Sequence, residues 1–207
     1  MLRVLFVVVP LVAALLIGAA AAHWPRWQHQ TLLEQEGVQI FSQELPVRNG
    51  DFLNQSGQPI KLSDLTGRNL LVFFGYTFCP DICPATLMDL SRIWRQLPAQ
   101  IRDEWQVVLV SVDPERDTPT NLSPYMGYFN KSFVALTGNE QSLSNIAADL
   151  NAIYSKVERG AEQPYLMDHS ANIAIIDSHG NYRGYIAPPH GAKRMVPLLT
   201  AITGLLP

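Results

Sequence analysis

The chain has 207 residues, 47% hydrophobic and 16% charged, with a formal net charge of −3. That length accommodates one ordinary globular domain and an additional segment. The basic residues are dispersed without a positive stripe, which argues against a nucleic-acid partner.

The additional segment is at the front. Residues 4–22, "VLFVVVPLVAALLIGAAAA", carry no charge, and nineteen helical residues reach about 28 Å, close to the hydrocarbon thickness of a bilayer. Trp24 and Trp27 follow at the position of an interfacial belt, and Arg3 is the only charge ahead of the run. Residues 1–22 are expected to be a single-pass anchor in a bacterial inner membrane, with the C-terminal domain in the periplasm. A cleaved signal ending near Ala20-Ala21-Ala22 is the alternative. Residues 23–44 read as a polar tether, partly helical around "TLLEQEG", and the domain as residues 45–207, starting near Leu45.

Within the domain, Asn54-Gln55-Ser56-Gly57 supplies the turn of a hairpin. "NLLVFFG" (69–75) has the continuous apolar character of a strand buried on both faces. Leu87, Leu90, Ile93, Trp94 and Leu97 recur at helical spacing, and Pro98 ends that helix. "WQVVLVSVD" (105–113) predicts a second buried strand, and Asp117-Thr118-Pro119 the start of a helix. "SFVALTG" predicts a short strand. A helix with Leu143, Ile146, Ala147 and Leu150 on one side follows, then a hairpin turning at Ser178-His179-Gly180 and a closing helix. This alternation describes an α/β sandwich with a mixed sheet flanked by helices.

The only cysteines are Cys79 and Cys83, each followed by proline. An exported protein usually uses a cysteine pair as a structural disulfide, but a bridge across four residues closes a tiny loop and stabilises little. The pair therefore reads as reactive or metal-binding. Pro84 is expected to open the helix, where its missing N–H is harmless. Cys79 to Ile82 then form a loop, and Cys83 lies at the helix mouth, where the dipole favours a thiolate.

Two thiolates rarely complete a metal site, so a histidine is sought. His23 and His29 fall in the tether, and His179 and His190 read as surface residues. His169 lies in a loop just before a predicted buried strand. It is either a third ligand or a loop histidine bonded to nearby backbone. The charges of "DPERDTP" (113–119) read as caps and local salt bridges.

"FFGYTFCPDICP" (73–84), "VSVDPERDTP" (110–119) and "MDHSANIAIID" (167–177) together resemble three blocks of the Sco (SenC) family, in that family's order, within a similarity spanning most of residues 45–205. The resemblance implies a thioredoxin-like fold and copper, as Cu(I) or Cu(II), held by Cys79, Cys83 and His169. It also implies a metallochaperone that assembles the CuA site of cytochrome c oxidase subunit II. Ala171 and Asn172 after Ser170 are slightly unusual for that pattern. Soft thiolates suit Cu(I), and an added imidazole makes Cu(II) tolerable; structural zinc, the other metal considered, normally has four protein ligands. Asp168 is a candidate second-layer acceptor that would orient His169. The second functional reading is a thiol–disulfide oxidoreductase with Cys79 and Cys83 as its redox pair. A peroxidase of the peroxiredoxin kind is disfavoured, because Val72 and Tyr76 stand where its proline and threonine would be.

Overall fold

A computed structural model describes residues 33–160 and 163–206 of the chain. The expected anchor at residues 1–22 and residues 23–32 of the tether lie outside the described residues. Among the described residues no helix is long and apolar enough to cross a membrane. The chain divides into residues 1–38 and a compact unit, Gln39–Pro207.

The first strand, β1 (Val38–Pro46), lies in the segment read as tether, so the sheet starts ahead of Leu45. Its side chains are mostly half-buried or exposed, as at the open margin of a sheet, and this conceals it from an apolar-run reading. The expected hairpin is present as β2 (Phe52–Asn54) and β3 (Pro59–Ile60). Asn54 Oδ1 accepts from the backbone N–H of Ser56 at 2.9 Å and of Gln58 at 3.1 Å, which closes the turn. Strands β4 (Asn69–Gly75) and β5 (Trp105–Ser111) are buried at every position. The continuous apolar runs are thus a pair of adjacent central strands, parallel to one another. β6 (Val134–Gly138), β9 (Ile173–Ile176) and β10 (Asn181–Ile186) complete an eight-stranded mixed sheet, ordered β1-β10-β9-β4-β5-β6-β2-β3. At Gly184 an added Cβ would stand 1.8 Å from the Gln39 carbonyl oxygen, so β1 approaches β10 too closely there for a side chain.

Helix α1 (Ile82–Gln96) buries Cys83, Leu87, Leu90 and Trp94 along one stripe. It starts two residues before the expected position, with Asp81 as N-cap and the first intrahelical bond from Ala85 N–H to the Asp81 carbonyl. Pro84 is therefore the third helical residue rather than the first. Its missing N–H still costs nothing, because the first turn has no intrahelical acceptors. The short α2 (Ala99–Asp103) was not legible in the sequence. α3 (Pro119–Phe129) starts at the expected proline with Thr118 as N-cap, and α4 (Glu140–Asp149) is capped by Asn139, whose side chain accepts the Ser142 N–H at 2.8 Å. α5 (Ala192–Thr203) closes the chain and packs against α1.

One feature departs from the expected order. Strands β7 (Tyr154–Val157) and β8 (Leu166–His169) form a separate antiparallel ribbon in what read as loop. His169, its last residue, pairs in register with Tyr154. The ribbon's residues are half-buried or exposed, so no apolar run marks it.

Candidate metal centre

β4 ends at Gly75, the chain turns through Tyr76–Asp81, and α1 begins, so both cysteines stand at the C-terminal end of the central strand. Cys79 N–H donates to the Tyr76 carbonyl at 3.3 Å, which tightens the turn. Cys83 N–H in the first turn of α1 points to Cys79 Sγ at 3.4 Å. Cys79 is partly exposed, Cys83 is fully buried, and both are free thiols.

His169 reaches the same point from β8. Its Nδ1–H donates to the Ser170 carbonyl at 3.1 Å, which leaves the Nε2 lone pair facing Cys83 Sγ at 3.2 Å. The rings of Phe73 and Tyr76 meet the imidazole edge-on, with centroids 5.8 and 6.0 Å away, and confine its plane. The ligand atoms of Cys79, Cys83 and His169 all lie within 4.8 Å of one another. Donors about 2.0–2.3 Å from a common ion stand roughly 3.5–4.5 Å apart, so the three need little rearrangement to share one.

Electrostatics fits this arrangement. Burial lowers the His169 pKa, so the ring is neutral and its lone pair free at neutral pH. Burial, with a smaller contribution from Cys79, pushes the Cys83 thiol well above the ordinary cysteine range. Cys83 is thus not the thiolate expected at a helix mouth. Desolvation outweighs the dipole, and Cys83 is a thiol at neutral pH.

The motif "DPERDTP" does more than cap a helix. Asp117 is fully buried and does not cap α3. Its carboxylate accepts from Thr77 N–H at 3.0 Å, from the Thr77 hydroxyl, and from the Ser111 hydroxyl at 2.6 Å. Thr77 lies two residues before Cys79, so Asp117 ties the cysteine turn to the end of β5. Arg116 makes the expected local ion pair with Asp113 and also donates to the Tyr165 carbonyl at 3.0 Å. Its guanidinium stacks 3.6 Å from the Tyr165 ring centroid and 4.9 Å from that of Phe78. Phe78 adjoins Cys79 and Tyr165 leads into β8, so one arginine links both halves of the centre.

Residues 46–204 match the SCO1/SenC protein-family model. The chain belongs to this family. A putative copper-binding protein of Stutzerimonas stutzeri is 36% identical over 189 residues, covering 89% of this chain and 92% of that protein. The solution structure of apo Sco1 from Thermus thermophilus is similar with a TM-score of 0.70 and 32% identity, covering 80% of this chain and 95% of that one. Bradyrhizobium japonicum ScoI, solved with copper bound, gives a TM-score of 0.67 at 28% identity, covering 75% and 98%. The fold is accordingly the thioredoxin-like α/β fold of Sco structures.

In this Sco protein two sequence expectations near the centre need correction. Asp168 is exposed and does not orient His169; successive strand residues face opposite ways, and the Ser170 carbonyl takes that role. His190 is buried rather than superficial, its Nε2 bonded to the Ala171 carbonyl at 3.0 Å behind a cis Pro188-Pro189 bond. His179 is exposed in the β9–β10 turn, as expected.

Gly75 was not singled out in the sequence, where it reads only as the end of an apolar run. A Cβ there would stand 3.1 Å from Cys83 Sγ, 3.0 Å from the Phe73 ring and 3.2 Å from Leu109. Gly75→Ala is expected to cost about 1–3 kcal/mol through overpacking and to displace the Cys83 sulfur. The checks are the denaturation midpoint and bound copper per chain. An unchanged copper content would show that the sulfur has room to yield.

Proposed function

We propose that this Sco protein binds copper through Cys79, Cys83 and His169 and delivers it to the CuA site of cytochrome c oxidase subunit II. The observation that carries the reading is the convergence of two thiols and a neutral imidazole, from two separate elements, on one point beside a partly exposed sulfur. Two sulfurs suit Cu(I), and the nitrogen extends tolerance to Cu(II). Three protein donors leave a coordination position through which an acceptor's ligand can enter. Cys79 is the sulfur that an incoming partner meets first, because Cys83 is enclosed. The apolar residues 4–22 support anchoring in a bacterial inner membrane with the domain in the periplasm, where an oxidase CuA domain is accessible.

Because Cys83 is protonated in the metal-free protein, copper must displace that proton. Apparent Cu(I) affinity is therefore expected to rise about tenfold per pH unit between about pH 6 and 9 from Cys83 alone. Competition with a pH-insensitive Cu(I) chelator measures this, and a flat profile would mean that Cys83 does not bind as thiolate.

Thiol–disulfide exchange is the second reading, favoured by the accessible Cys79 sulfur adjoining the Cys83 N–H. Cys79 would attack an acceptor disulfide, and Cys83 would resolve the mixed disulfide, leaving the acceptor reduced. The discriminating experiment offers the copper-loaded protein to a purified, reduced subunit II domain and monitors the CuA absorption. A metal-free sample is offered to the oxidised domain in parallel. Copper transfer that depends on His169 supports delivery. Reduction without any copper transfer, unaffected by His169→Ala, would replace delivery with the reductase reading.

A further inference from the structure

The opposite end of the central strands carries a second cleft. β4 runs from Asn69 at the cleft end to Gly75 at the metal end, and seven residues in a strand span about 20 Å. The cleft has a volume of about 600 Å³, and Arg68, Arg95, Arg102, Trp94 and Trp105 are among its lining residues. That size is within the range of small-ligand sites. Trp105 Nε1–H donates to the Thr203 hydroxyl at 2.8 Å, so its polar atom is already satisfied.

The lining is rich in donors and poor in acceptors. None of the three arginines forms an ion pair among the described residues. Arg95 Nη1 donates to the Ser91 hydroxyl at 2.9 Å, and that buried hydroxyl donates to the Phe129 carbonyl at 2.7 Å, so the Arg95 side chain is held ready over the cleft. Asn130 Oδ1 accepts from both the N–H and the hydroxyl of Ser132, at 2.9 and 2.8 Å, which leaves its amide N–H groups for a ligand. Asp103 is the single carboxylate at the rim. Three guanidinium groups against one carboxylate make a locally positive cleft on a chain whose net charge is −3.

We propose that this cleft is an anion site for a phosphate-bearing ligand with at least two negative charges, separate from the metal centre. Planar guanidinium forks match phosphate oxygens in pairs. The phosphate belongs either to a free small molecule or to a lipid headgroup.

The test uses the full chain in a neutral detergent at low ionic strength, titrated calorimetrically with inorganic pyrophosphate. A second titration uses the same micelles doped with phosphatidylglycerol. One saturable site is expected in at least one arm. Each of Arg68→Gln, Arg95→Gln and Arg102→Gln should weaken it about tenfold, the size of one charge-assisted hydrogen bond, and the triple variant should abolish it. Saturation by pyrophosphate assigns a free anion, and saturation by the lipid alone assigns a headgroup; either supports the site. Bound copper per chain should match the wild type in every variant, which separates loss of the site from loss of the fold. No saturable binding in either arm, or undiminished binding by a triple variant with normal copper content, overturns the proposal.

Discussion

Replacing His169 with alanine is expected to abolish stable Cu(II) binding while some Cu(I) stays on the two sulfurs. The imidazole is the only nitrogen donor at the centre among the described residues. Cu(II) prefers sites with nitrogen or oxygen ligands, whereas Cu(I) accepts two thiolates. Without the imidazole, Cu(II) facing two thiolates is open to internal reduction. The loss for Cu(II) should exceed the 10–100-fold or so that removing an outer-layer partner costs a metal site. The two thiols should still titrate. Stability should change by about 1 kcal/mol or less, because His169 ends a peripheral two-stranded ribbon rather than a strand of the main sheet. Copper content, the Cu(II) absorption spectrum and thiol titration of wild type and variant form the measurement. A wild-type Cu(II) spectrum in the variant would remove His169 from the ligand set.

The second large effect is expected at Asp117, which is hydrogen-bonded to Thr77 and Ser111 and to none of Cys79, Cys83 and His169. Asp117→Ala leaves the Thr77 N–H, the Thr77 hydroxyl and the Ser111 hydroxyl without their shared acceptor in a buried place. At about 1 kcal/mol or more for each orphaned group, the loss should reach about 3 kcal/mol. The turn carrying Cys79 loses its tie to β5, so bound copper should fall as well, even at temperatures where the variant is fully folded. Asp117→Asn separates charge from hydrogen bonding, since it keeps one acceptor oxygen. Burial raises the Asp117 pKa in spite of those hydrogen bonds. A carboxyl group whose folded value lies above its unfolded one contributes stability that is fully present below the unfolded pKa. That contribution is lost as pH rises through the folded pKa. Asp117→Asn should therefore flatten this part of the stability–pH curve. Denaturant midpoints across acidic pH, with copper content beside them, test both statements. Full copper binding by Asp117→Ala would show that the Cys79 turn holds its shape unaided.

Where the signal is local, the sequence carries it. The stretches Leu70–Gly75 and Val107–Val110 are apolar because central strands are buried on both faces, and they read as strands without tertiary knowledge. Pro119 marks a helix start through its own geometry. The cysteine pair reads as chemical rather than structural from loop length alone, and the three blocks around it carry the family. The remaining features depend on residues distant in the chain. β1 and the β7–β8 ribbon are peripheral and half-exposed, so they have no run of buried residues to betray them. The state of the Cys83 thiol is a balance of dipole against desolvation, and burial under β4 and His169 decides it. Asp117 has the look of a helix cap, yet it turns inward because Thr77, forty residues earlier, and Ser111 present their donors there. His169 is eighty-six residues from Cys83. Chemistry and spacing nominate the cysteines, but only a fold that brings β8 over the first turn of α1 sets an imidazole nitrogen against a sulfur.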